Sequence, residues 1–249
     1  MSTSTRTALV TGSSSGIGYE VAREFVEAGW NVVLNGRHEG RLKEAAARIG
    51  HPDRIAQVAG STSDRTTGEA MVKVARERFG SVDLLVNNAG EFGFKPFLEV
   101  NEADLEHYFS VNLKGTYLTT QAAVRAMIDG GRGGNVVNIG TVLVEHGMSW
   151  VKASAPLVTK GAIHALTLVL ASELAPHNIR VNAVAPGFIR TPLLNGADTA
   201  PLAASALVNR VGDVKDISAA VRYLAESSFV TGHIVNVDGG YVTGRREAA

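Results

Sequence analysis

The chain has 249 residues, 45% of them hydrophobic, 19% charged and 6% aromatic, a globular composition that excludes a mostly disordered polymer. Lys and Arg number 24 and Asp and Glu number 24, so neither a basic nucleic-acid binder nor an electrostatic membrane anchor is expected. Zero cysteines exclude disulfides, thiol catalysis and Cys-ligated metals. In chain order, apolar strand-like runs are predicted at 7–10, 31–35, 54–58, 83–87, 135–139, 179–184 and 234–237. Helical patterns fill the gaps. Ile17, Val21, Phe25 and Val26 mark the first, and 41–49 and 69–79 follow. The segment 104–128 reads as one long helix, 157–174 as a strongly apolar one, and 217–225 as the last. Strands that are apolar without alternation are buried on both faces, and strand–helix repetition implies right-handed crossovers onto a parallel sheet. The expected fold is therefore α/β: a doubly wound, Rossmann-type, seven-stranded parallel sheet with helices on both faces. No linker, repeat or low-complexity stretch divides 1–249, so one domain is expected, with a long excursion at about 190–213. The polar start of the chain and the lack of an apolar run of ~18 residues predict a cytoplasmic protein with no membrane partner.

The glycines concentrate where the first strand meets the first helix, in Thr11-Gly12-Ser13-Ser14-Ser15-Gly16-Ile17-Gly18. Glycine lets the backbone turn tightly and lets a ligand approach it, and the helix that follows aims its free N–H groups at the turn. That combination suits a pyrophosphate.

The Gly-x-x-x-Gly-x-Gly spacing, together with three further motifs in order, resembles the short-chain dehydrogenase/reductase family in its single-domain form. The other three are Asn87-Asn88-Ala89-Gly90, Asn182-Ala183-Val184-Ala185-Pro186-Gly187-Phe188-Ile189-Arg190-Thr191, and Val230-Thr231-Gly232 through Val237-Asp238-Gly239-Gly240. The resemblance covers nearly the whole chain. It implies that Gly12, Ser14, Ser15, Gly16, Ile17, Gly18, Arg37, Asn88, Ala89, Gly90, Lys160, Pro186, Gly187, Ile189 and Thr191 hold a nicotinamide dinucleotide. An acidic residue after the second strand would select NAD. Here Gly36 stands in that place and Arg37 follows, which favours NADP(H) over NAD(H) through a charge-assisted pair with the 2′-phosphate. Ser15 sits where many NADP-type relatives carry a second basic residue, and Gly60-Ser61 replaces the family's Asp-Val.

The resemblance also implies a chemical end: a Tyr four residues before a Lys, a Ser or Thr after the fifth strand, and an Asn on the long helix. Asn112, Thr141 and Lys160 match three of these as catalytic candidates. The residue four before Lys160 is Pro156, which has no proton to give, and Ser154 is a possible cap for that helical turn. His146, Glu145, Lys152 and His164 are the alternative acids in sequence reach, and Lys160 itself is another. Phe92, Phe94, Phe97, Met148, Trp150, Leu193 and Leu194 are candidate substrate-wall residues. The expected function is an NADP(H)-dependent oxidoreductase for a carbonyl, alcohol or activated double bond. The alternative is a catalytically silent NADP(H)-binding protein. A small-molecule substrate, no nucleic-acid partner, no metal, and a homotetramer or homodimer complete the expectations.

Overall fold

A computed structural model describes residues 5–194 and 198–244. Among these residues seven strands form one sheet: β1 Thr7–Val10, β2 Asn31–Gly36, β3 Ile55–Ala59, β4 Leu84–Asn87, β5 Gly134–Ile139, β6 Ile179–Pro186 and β7 Ile234–Val237. Their order is β3-β2-β1-β4-β5-β6-β7, and every pairing is parallel. The chain reverses its direction of travel across the sheet between β1 and β4. That switch point leaves a crevice beyond the strand C-termini, where ligands of such sheets bind.

The continuous apolar strands behave as their patterning demands. Along β1, Ala8 and Val10 face one layer while Leu9 faces the other; along β2, Val32 and Leu34 oppose Val33. The first layer is closed by α1 Gly16–Glu27, α2 Glu39–Ile49 and α8 Val214–Glu226. The second is closed by α3 Arg65–Phe79, α5 Gly115–Gly130 and α6 Ser154–Glu173. Helix α8 shows how a polar start and an apolar stripe make one element. Asp213 and Asp216 form a capping box, and Ile217, Val221 and Leu224 then reach the core at helical spacing, each fully buried. Each such side chain contributes roughly 1.5–3 kcal/mol of burial.

Three expectations need correction. The segment 104–128 is a continuous helical run, as expected, but not a uniform α-helix. It is α4 Glu102–Tyr108, a π-helical turn Phe109–Lys114, then α5. The π-turn carries Asn112 inward, fully buried. Helix α6 begins at Ser154, earlier than 157, and Ser154 does not cap it: the preceding Ala153 is the N-cap and makes no side-chain bond. Pro156 then falls in the first turn, where its missing N–H costs nothing. Finally, α6 is 20 residues long with mean hydropathy 1.3, enough by length and composition to cross a bilayer, contrary to the reading that no run reaches that length. Here it packs on β6 and the π-turn. Its buried face carries Pro156, Thr159, His164 and Thr167, while Val158, Leu168 and Val169 face outward. Among the described residues, the excursion after β6 contains a 3-10 turn, Pro192–Leu194, and a short helix, α7 Ala200–Ala204; residues 195–197 of it lie outside the described residues.

Candidate active site

The β1–α1 turn is built by glycines that have no room for a side chain. Gly12 has φ +63°, and a Cβ there would lie 2.9 Å from the Ala89 Cα. A Cβ on Gly18 would lie 2.5 Å from the Gly12 carbonyl oxygen. Thr11 and Asn88 lock this turn to the one after β4. The Asn88 and Ala89 N–H groups donate to Thr11 Oγ1 at 3.0 and 2.9 Å, and the Asn88 amide donates to the Thr11 and Gly12 carbonyls at 3.0 and 3.1 Å. Buried Asn35 ties in the next two strands, bonding Ser13, Val58 and Gly60. Ser15, the N-cap of α1, makes no side-chain bond and no acid sits in the first turn, so the helix start offers its N–H groups and positive end to the crevice.

Two cavities share this crevice. One, of about 210 Å³, is lined by Gly12, Ser14, Ser15, Arg37, Arg41 and Ala89 among others. The second, of about 420 Å³, is lined by Ile17, Asn88, Thr141, Lys160, Pro186, Gly187, Ile189 and Thr191, with Phe92, Phe94, Leu193 and Leu194 as its apolar wall. Gly90 and Glu91 line both, so they form one groove from Arg37 to Lys160. Gly16 and Gly18 shape the turn without lining either cavity. These residues suit a dinucleotide: a glycine cradle that a Cβ would fill, an uncapped helix start, and cations at one end.

At the chemical end, Gly90 brings two predicted residues together. A Cβ there would lie 3.3 Å from Lys160 Nζ and 3.1 Å from Asn112 Oδ1. Lys160 donates to the Ile139 carbonyl at 2.7 Å and has no ion pair among the described residues. Burial without a counter-charge lowers its ammonium pKa to about 8. Thr141 donates weakly to the Pro186 carbonyl at 3.4 Å and caps the short turn after β5 by accepting from Leu143. Asn112 does not line the groove. Its side chain clamps the Glu91 backbone, accepting from the N–H at 2.7 Å and donating to the carbonyl at 3.0 Å, and donates to Thr159 at 3.0 Å. It is a positioning residue in this arrangement.

The alternative acids are elsewhere. Glu145 accepts from Asn236 at 2.9 Å, and His146 stands edge-on to Tyr241, 5.4 Å away. Neither these nor Lys152 line the groove. His164 is buried behind Gly140, its Nε2 unpaired, and a Cβ at 140 would lie only 2.2 Å from that nitrogen. Burial lowers its pKa, so the imidazole is neutral. Of the described residues that line the chemical half, only Glu91 and Lys160 are ionisable. Phe97 and Met148 do not line it, and Trp150 reaches it indirectly, stacked 6.1 Å from Phe188.

Sequence reasoning missed Glu91, Arg41, Phe188 and Gly140 as groove residues. Arg41 sits in the first turn of α2, just after Arg37 leaves β2, and this nearness in sequence is the signal that could have flagged it. Glu91 follows the Asn-Asn-Ala-Gly turn directly, but its partners are distant in sequence.

Residues 12–242 match the family model described as enoyl-(acyl carrier protein) reductase. The chain is 36% identical to an L-rhamnose 1-dehydrogenase (NAD(P)(+)) of Azotobacter vinelandii, over 94% of this chain and 96% of that one. It is 35% identical to a 3alpha-hydroxysteroid dehydrogenase of Mediterraneibacter gnavus, over 94% and 96%. The crystal structure of a short-chain type dehydrogenase/reductase from Mycobacterium marinum superposes with a TM-score of 0.91 at 33% identity, covering 96% of both chains.

Proposed function

Because the chain belongs to the short-chain dehydrogenase/reductase family, an oxidoreductase family whose members use NAD(P), we propose that it is an NADP(H)-dependent oxidoreductase acting on a carbonyl, alcohol or activated double bond. The observation that carries this reading is the single groove that runs from Arg37, past the glycine cradle, to Thr141 and Lys160. The bound nicotinamide supplies or accepts hydride. The protein's own residues do the rest. Gly12, Ser14, Ser15, Ala89 and Gly90 receive the adenosine and phosphate portion, with Arg37 and Arg41 available to a 2′-phosphate. Ile17, Asn88, Pro186, Gly187, Ile189 and Thr191 flank the nicotinamide portion. Thr141 offers its hydroxyl to the substrate oxygen. Lys160 holds the ribose and, at a pKa of about 8, keeps a proton at neutral pH that can pass to that oxygen directly or through water. Pro156 occupies the place where the family's Tyr is expected, so the proton route is atypical. Phe92, Phe94, Leu193 and Leu194 favour an apolar substrate.

Calorimetric titration with NADPH and NADH, followed by NADPH oxidation against a panel of carbonyl compounds at high enzyme concentration, tests the proposal. Absence of binding by either coenzyme at millimolar concentration sinks it. Pro156 favours a second reading, a chemically silent NADP(H)-binding protein. Pro156→Tyr separates them: reductase activity gained by a variant of an inactive parent supports the second, and an active parent that Lys160→Ala inactivates supports the first.

We also propose a homotetramer or homodimer of one-domain subunits acting in the cytoplasm. The outward stripe Val158, Leu168, Val169 on α6 and the exposed Leu105, Phe109 and Tyr117 along α4, the π-turn and α5 are what support self-association. Sedimentation of the 26.2 kDa chain as a monomer would refute it.

A further inference from the structure

A chain of three polar side chains meets at the adenosine end of the groove, and the coenzyme reading gives a task to Arg37 alone among them. Arg37 leaves the end of β2 on one wall. Glu91 leaves the end of β4 on the other. The Arg37 guanidinium meets one Glu91 carboxylate oxygen at 2.6 Å, and His107 of α4 meets the second at 2.8 Å. The Glu91 carboxyl is held below the usual carboxylate range by the His107 hydrogen bond first, with the Arg37 charge also contributing. Asn112 fastens the Glu91 backbone from both sides, at 2.7 and 3.0 Å, so the carboxylate is delivered to Arg37 by a fixed segment. The Arg37 side chain is 60% exposed, and an ion pair that wet contributes little to stability. The fold does not need it.

We infer that Glu91 sets the coenzyme preference, its carboxylate being a built-in rival of the 2′-phosphate for the Arg37 guanidinium. The inference rests on the reading of Arg37 as the phosphate's partner. A carboxylate and a phosphate both seek the planar fork of an arginine. With Glu91 in place, a 2′-phosphate must displace the carboxylate or lie beside it against like-charge repulsion. A 2′-hydroxyl leaves the pair intact. Glu91 therefore narrows the advantage that Arg37 gives NADPH over NADH. Arg41, which lines the same cavity and has no ion pair among the described residues, is the cation that the phosphate finds unclaimed.

The test is equilibrium titration of the full chain with NADPH, NADH and adenosine 2′,5′-bisphosphate, for wild type, Glu91→Gln, Arg37→Ala and the double variant. Glu91→Gln keeps the backbone clamp to Asn112, and Glu91→Ala serves as an independent second substitution. The NADPH-to-NADH affinity ratio should rise about tenfold in either Glu91 variant, and the bisphosphate should tighten by a similar factor. In the Arg37→Ala background the gain should shrink to about twofold or less, because the rivalry has lost its object. A ratio unmoved by both Glu91 variants, while Arg37→Ala still lowers it, overturns the inference and leaves the NADP reading standing. A ratio that Arg37→Ala does not move overturns both.

Discussion

Gly140 exists as glycine because His164 occupies the volume of its side chain. A Cβ would meet the imidazole at 2.2 Å, and the imidazole is buried and neutral. Gly140→Ala should destabilise the fold by about 1–3 kcal/mol, an overpacking cost, and adding His164→Ala should recover most of it; urea denaturation reads both. Lys160 makes a second residue-scale prediction. Its folded pKa of about 8 lies below the ordinary lysine value, so the unfolded chain binds the extra proton between pH 8 and 10.5. Stability therefore carries a penalty below pH 8 that is relieved as pH rises through that window. Relative to Lys160→Met, the wild type should gain about 1–3 kcal/mol between pH 7.5 and 10.5. In catalysis the sign is opposite: if the ammonium is the proton source, reduction slows as pH rises through 8. Lys160→Met should cut the reduction rate by about 10²–10⁴.

Among the elements, the strands were the most legible part of the sequence. Both faces of the sheet are covered, so central strands such as β1 and β4 are buried along their whole length, while the edge strands β3 and β7 expose Gln57 and Asn236; β1 and β7 match their expected bounds and the others differ by one or two residues at one or both ends. The glycine turn was equally plain, because its spacing has few other physical uses. What the sequence hid was the π-turn. Its apolar residues keep helical spacing on either side, and one extra residue shifts the register without leaving a gap in the pattern. The polar inner face of α6 was hidden too, since Thr159 and Thr167 satisfy themselves by bonding carbonyls one turn back. The groove's ion pair was invisible because Arg37 and Glu91 meet only after two crossovers. Two element-scale predictions follow from local bonding. Asp213→Ala removes the α8 capping box and should cost about 1 kcal/mol by thermal or chemical denaturation. Asn112→Ala leaves the Glu91 backbone N–H and carbonyl without their partner and should cost about 1–3 kcal/mol by the same denaturation measurement.

For the molecule as a whole, the groove joins segments from both halves of the sheet: β1, β2 and β4 supply one end, and β5, β6 and the excursion after β6 supply the other. A ligand that spans it ties these parts together in the folded state only. At a coenzyme concentration one hundred times the dissociation constant, the stabilisation is about 2.7 kcal/mol, and melting should rise by roughly 5–10 °C for a chain of this size. Differential scanning fluorimetry with NADPH and with NADH reads this, and a rise with neither would contradict the assignment of the groove. The mouth of the groove has one further joint. The Lys95 N–H donates to the Lys152 carbonyl at 2.6 Å, a bridge between the loop after β4 and the segment that leads into α6. The first loop carries Phe92 and Phe94, and the second leads to Pro156 and Lys160. The two are thus mechanically one cassette. Because both partners are main-chain groups, a relative's substrate loop grafted onto this scaffold would keep the joint only if it held the amide of residue 95 in place and carried a residue other than proline there.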